Sequence, residues 1–144
     1  MTLRVELVAP DGEIWSGNAR MVIAKTLEGD LGVLTGHQPV LGILAEGSLV
    51  WILDPEGGTG RDDTPAGSST IVAAVSSGFL AVADDRVSVL AREAQLGSQV
   101  DTAAAKSDLE AALAAAEPLP AGEQEPGEVK YSRALIRAAA DEQP

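Results

Sequence analysis

Leu3, Val5 and Leu7 alternate with Thr2, Arg4 and Glu6, the period-two pattern of a strand with one face toward water. Ala9-Pro10-Asp11-Gly12 reads as a turn. Glu13 to Lys25 reads as two strands bent at Ser16-Gly17-Asn18, and a short strand follows over Leu31 to Leu34, closed by Thr35-Gly36-His37-Gln38-Pro39. Val40 to Leu44, Ser48 to Leu53, Thr70 to Val75, Phe79 to Ala83 and Arg86 to Ala91 complete the strands, with a tight turn at Asp84-Asp85. Ser48 to Leu53 is apolar on both faces, with Leu49, Trp51 and Leu53 on one and Val50 and Ile52 on the other. A strand covered on both sides has this pattern. Many short strands with regular turns predict a β-sandwich over residues 1–91. Asp54 to Ser69 has no periodicity and predicts a mobile hairpin loop.

The pattern changes over residues 92–144. Ser98-Gln99-Val100-Asp101 has the S-x-x-D form of a helix start, and Asp101 is itself a rival N-cap. Eight of the fifteen residues from Thr102 to Ala116 are alanine, which favours helix strongly. Pro118-Leu119-Pro120 ends that helix, and a second begins at Glu128. Helices over about 99–117 and 128–140 predict a hairpin with a thin apolar seam of Leu109, Leu113, Val129, Leu135 and Ile136. The fold class is therefore an all-β sandwich domain followed by a C-terminal α-helical hairpin. Each buried leucine stabilises by roughly 1.5–3 kcal/mol, while backbone ordering costs about 1–2 kcal/mol per residue. The hairpin is expected to be the least stable unit, able to detach from an intact sandwich.

Composition narrows the function. The formal charge is −12, with 22 acids against 10 bases. Such a chain repels phosphate backbones and anionic lipid, so neither nucleic acid nor direct lipid binding is expected. The chain has no cysteine, which removes disulfides and thiolate metal sites. Its apolar runs are far shorter than a membrane span, and its start lacks a secretion signal, so a cytoplasmic protein is expected.

Candidate chemistry is sparse. His37 is the only histidine, it lies in a turn, and no G-x-S-x-G elbow accompanies it, so a polar turn residue is the better reading. Asp62-Asp63 and Asp84-Asp85 sit in loop or turn sequence and read as solvated pairs. No catalytic residue, metal or cofactor follows from these residues, and a small hydrolase is disfavoured. Glu28-Gly29-Asp30-Leu31-Gly32 is glycine-rich but has no phosphate-loop lysine. A tight turn and a displayed contact loop account for it equally well.

The run from Glu28 through Gly32, Gly36-His37 and Pro39 to Leu41 resembles the signature of the epsilon subunit of bacterial rotary F-type ATP synthases. Ala45-Glu46-Gly47, Ser77 to Val82 and Arg86 to Ala91 are similar to its later turn and last hairpin, and Val8 to Gly12 with Trp15 to its start. The resemblance covers the β-domain in order. It implies a sandwich with two C-terminal helices, placed in the central stalk between the gamma subunit and the ring of c subunits. Glu28, Gly29 and Asp30, with His37 close by, would form the ring-contacting loop. The complex would hold the chain at the cytoplasmic face of the cell membrane.

The sequence departs from the family in its longer Asp54–Ser69 loop and in its tail. Some members bind ATP through an [IL]-D-x-x-R-A motif; here Val100-Asp101-Thr102-Ala103-Ala104-Ala105 aligns with it, and Ala104 replaces the arginine. No ATP cofactor is expected. Arg133 and Arg137 remain as tail residues for contact with the alpha and beta subunits. From Gly97 onward the tail has nine acids and four bases, which weakens a grip on acidic surfaces and predicts a weak inhibitor of ATP hydrolysis. The leading expectation is a non-catalytic rotor subunit; the alternative is a free-standing β-sandwich adaptor with an interaction tail.

Overall fold

The first of the chain's crossings between two layers takes a single residue. In this computed structural model, which describes residues 2–53, 70–115 and 127–140, β2 (Gly12–Ala19) belongs to one sheet and β3 (Met21–Thr26) to the other. Only Arg20 lies between them, and its amide donates to the Leu53 carbonyl at 3.0 Å. The bend expected at Ser16-Gly17-Asn18 is not there. Those residues pair with Glu6, Val5 and Arg4 of β1 (Leu3–Ala9), and Ser16 and Gly17 are buried, so the ladder holds the strand straight past them.

The first sheet has the order β2-β1-β9-β8-β5, with β5 at Val40–Ile43, β8 at Gly78–Ala83 and β9 at Arg86–Ala91. β1 and β9 run parallel; the other pairs are antiparallel. The second sheet has the order β10-β7-β6-β3-β4, with β4 at Gly29–Val33, β6 at Ser48–Leu53, β7 at Thr70–Val75 and β10 at Ala94–Leu96. β10 lies beyond the Ala91 limit of the expected β-pattern and pairs Leu96 with Ala73. Three residues are too few to show a period, so β10 is legible only from its partner.

Leu3, Val5 and Leu7 point into the gap between the sheets and are fully buried, as their alternation predicts. Trp15, Val22, Ile52, Ile71, Leu80 and Val89 join them in the main core. Asp84 and Asp85 have φ of 50° and 58°, the left-handed pair that a two-residue type I′ hairpin requires.

Hydrogen bonds sort the connections to two opposite ends. At one end Leu27 donates to Ile43, Gly47 to Ser76 and Arg92 to Ser77, joining four connections. At the other, Arg4 donates to the Asp85 carbonyl and Gly36 to its carboxylate.

β6 is buried on both faces as its sequence predicts, and the second cover is the tail. α1 (Thr102–Ala115) and α2 (Gly127–Ala139) form the expected pair of helices. α1 starts later than position 99, because Gly97–Gln99 is a 3₁₀ turn. Asp101 is the cap: its carboxylate accepts the Ala104 amide at 3.1 Å. The seam also differs from expectation. Leu113 stays 44% exposed and Leu109 is half-buried, while Ala105 supplies the buried contact of α1. α2 places Val129, Ala134, Leu135 and Ala138 out of water, the last three against Leu49, Trp51, Val72 and Ala74 of the second sheet. The loop over 54–69, with Asp62 and Asp63, and the linker around Pro118-Leu119-Pro120 lie outside the described residues.

Candidate functional site

The β3–β4 hairpin is tighter than the glycine-rich run suggests. Thr26 and Gly29 face each other in the ladder, so only Leu27 and Glu28 make the turn. The Thr26 hydroxyl donates to the Gly29 carbonyl at 2.7 Å and accepts the Glu28 amide at 3.2 Å. Gly29 has φ of 121°, which a side chain would strain. Local bonds thus fix the backbone, while Leu27, Glu28 and Asp30 stand in water. Lys25 sits opposite Asp30 in the ladder, which leaves Glu28 as the outermost charge of the turn.

Next to this turn lies an apolar surface. The Leu27 amide donates to the Ile43 carbonyl at 3.0 Å, which ties β5 to the hairpin. Leu27 is 68%, Leu41 72% and Ile43 59% exposed. From Ile43 a cross-strand row continues through Phe79 and Leu90 to Val8, as the register of four strands places them. Together they wall an open groove of about 770 Å³ on the outer face of the first sheet. Farther along that face the surface turns polar, where Arg86 pairs with Glu6 at 3.3 Å. Isolated exposed apolar residues are ordinary, but a contiguous band marks a covered surface.

Sequence reasoning did not single out this band. Its signal is present in the alternation: Leu41, Ile43, Phe79 and Leu90 occupy outward positions where a wet face carries polar residues.

His37 does not join the Glu28 turn. It lies beyond the far end of β4, and four residues at about 3.3 Å each put roughly 13 Å between Gly29 and Val33 alone. At that opposite end its amide donates to the Leu34 carbonyl at 3.2 Å. Its Nδ1 lies 2.7 Å from the Gln38 carbonyl, which can only accept, so the ring proton sits on Nδ1. Glu28, Gly29 and Asp30 form one surface and His37 belongs to another. The expectation that His37 lies close by fails because β4 carries the chain away from the turn.

Arg133 and Arg137 lie one turn apart on α2, and both take part in side-chain interactions. Tyr131, on the same helix, is half-buried against the cluster beneath it. Burial, and then the Glu93 carboxylate, push its phenol up to about 12. Among the described residues, no three His, Asp or Glu side chains gather to hold a metal. No helix among them is long and apolar enough to cross a membrane.

This geometry has known relatives. Residues 2–97 match the family model described as ATP synthase, Delta/Epsilon chain, beta-sandwich domain. The chain is 41% identical over 135 residues to the ATP synthase epsilon chain of Streptomyces griseus, covering 94% of this chain and 97% of that one. It is 42% identical over 143 residues to the epsilon chain of Thermobifida fusca, covering 98% and 94%. A chain in the cryo-EM structure of the Euglena gracilis mitochondrial ATP synthase superposes with a TM-score of 0.66 at 23% identity, over 96% of this chain and 81% of that one, a likeness of fold.

Proposed function

The chain belongs to the ATP synthase epsilon-chain family, and from that premise we propose that it couples the gamma subunit to the ring of c subunits in the central stalk. It is a non-catalytic subunit of a membrane-bound complex. The observation that carries the coupling role is the apolar band from Leu27 to Leu90 beside the rigid acidic turn. Two chemistries adjoin on one corner of the sandwich, which fits a piece that meets two partners at once. The flat band suits a helical face of gamma, since the core of such an interface is apolar. Glu28 and Asp30 suit basic groups on the polar loops of the ring. The complex then holds the chain at the cytoplasmic face of the membrane, with no lipid contact of its own.

The tail in this reading takes no ATP and brakes hydrolysis weakly. Its motif aspartate, Asp101, is engaged in capping α1, and Ala104 offers no cation to a phosphate. The acidic excess of the tail opposes a grip on acidic surfaces of the alpha and beta subunits by Arg133 and Arg137.

One experiment tests the coupling role. A photo-crosslinking residue is placed at Phe79 in one sample and at Glu28 in another, and the assembled complex is irradiated. Adducts with gamma from Phe79 and with c from Glu28 are expected. Absence of both adducts from an assembled complex sinks the reading and leaves the adaptor alternative.

A further inference from the structure

Two glycines lie directly against the backbone of α2. A Cβ on Gly47 would overlap the backbone of Lys130 and lie 2.6 Å from its carbonyl oxygen. A Cβ on Gly97 would overlap the Ala138 carbonyl oxygen and lie 2.7 Å from its carbon. Lys130 and Ala138 are eight residues apart, about 12 Å along the helix. The two glycines thus sit under opposite halves of α2, one in the β5–β6 turn and the other just after β10. Between them Ala134 and Leu135 join Trp51 and Val72 in one buried cluster. The Lys130 ammonium also lies 3.7 Å from Glu46, beside the first contact. Among the described residues, no glycine meets the backbone of α1 in this way; its buried residue, Ala105, joins the cluster under α2.

We propose that Gly47 and Gly97 form a two-point seat that sets the depth at which α2 docks. The seat makes α2 the element whose position governs the tail, with α1 carried on it. A methyl at either point lifts the half of the helix above it, uncovers Trp51, and leaves the two-sheet core folded. This device stands on the contacts within one chain and does not depend on the rotor role.

Two variants separate contact from backbone strain. The Gly97 backbone is not left-handed, so Gly97→Ala adds a methyl and little strain. Gly47 has φ of 58°, so Gly47→Asn is the better probe, because asparagine tolerates that region. Gly36→Asn is the control: it shares a left-handed φ, 80°, but a Cβ there meets nothing within 4 Å. Amide hydrogen exchange on the full chain reads the outcome. Exchange in α2 is expected to rise about ten- to hundredfold, toward its C-terminal half for Gly97→Ala and its N-terminal half for Gly47→Asn. Strands β1, β8 and β9 keep their protection, and Trp51 emission shifts to the red while Trp15 stays buried. Gly36→Asn leaves α2 unchanged. The proposal is overturned if both seat variants exchange in α2 like the parent, or if the first sheet loses protection equally. Should Gly97→Ala not fold, the Gly47→Asn and Gly36→Asn pair decides alone: equal α2 exchange in the two rejects the seat.

Discussion

The Asp85 carboxylate accepts the Gly36 amide proton at 2.6 Å, across 49 residues of sequence. The same residue's carbonyl accepts the Arg4 amide at 2.9 Å. One turn residue therefore ties the start of β1 and the His37 turn to the β8–β9 hairpin. Asp85→Ala loses a charge-assisted bond and replaces a residue that tolerates φ of 58° with one that does not. The expected cost is about 2–3 kcal/mol in denaturant unfolding. Asp85→Gly keeps the backbone conformation and is expected to cost about 1 kcal/mol. Equal costs for the two would show that the left-handed turn contributes nothing.

A charge in the apolar band separates binding from folding. Ile43 and Phe79 are exposed, so Ile43→Asp and Phe79→Asp should change unfolding by less than about 1 kcal/mol. Loss of gamma in co-purification, by tenfold or more, is expected from either. Unaltered gamma recovery would move the interface elsewhere.

Charge reversal at Glu28 and Asp30 probes the neighbouring turn. Neither side chain holds the hairpin, which Thr26 secures. The double Lys variant should therefore fold normally and lower retention of the c ring in the assembled complex. The effect should shrink as salt is raised. Rotor assembly indifferent to the reversal would exclude an electrostatic contact there.

The tail gives two further outcomes. Millimolar ATP should leave the melting temperature of the chain unchanged. Deleting everything after Leu96 should activate ATP hydrolysis by the complex less than about twofold, the mark of a weak brake. A large activation would show that the acidic tail grips after all.

Tyr131 makes docking sensitive to alkali. The phenol ordinarily titrates at 10.0 and is pushed up to about 12, first by burial and then by Glu93. The docked chain keeps a proton that the undocked chain gives up earlier. Docking is thus fully supported below pH 10 and loses that support as pH rises toward 12. The chain has one tyrosine, so tyrosinate absorbance follows this group alone. A midpoint near 10 in the native chain would show that docking of α2 does not shield it.

The sandwich was legible because its strands repeat a period of two around good turn chemistry. β9 falls where its alternation puts it, β6 and β7 where their apolar runs do, and Asp84-Asp85 turns as its residues require. The Arg20 crossover was not legible, since what straightens β2 is its pairing with β1. β10 escaped for the same reason. The acidic turn could be read as a loop of note, but its grouping with His37 could not be tested in one dimension. Motif residues adjacent in sequence can lie at opposite ends of a strand. The apolar band was hidden in plain alternation, because an outward leucine signals nothing until its neighbours on other strands are known.

Leu49, Trp51, Val72 and Ala74 have one further consequence. They can be covered by α2 or by something else, but not by both. Any molecule that occupies this face displaces the helix, and any site that captures α2 leaves the face vacant. The two events are linked by one free energy, and the linkage is reciprocal. The outer face of β6 and β7 is therefore an address that α2 holds only in the absence of a rival.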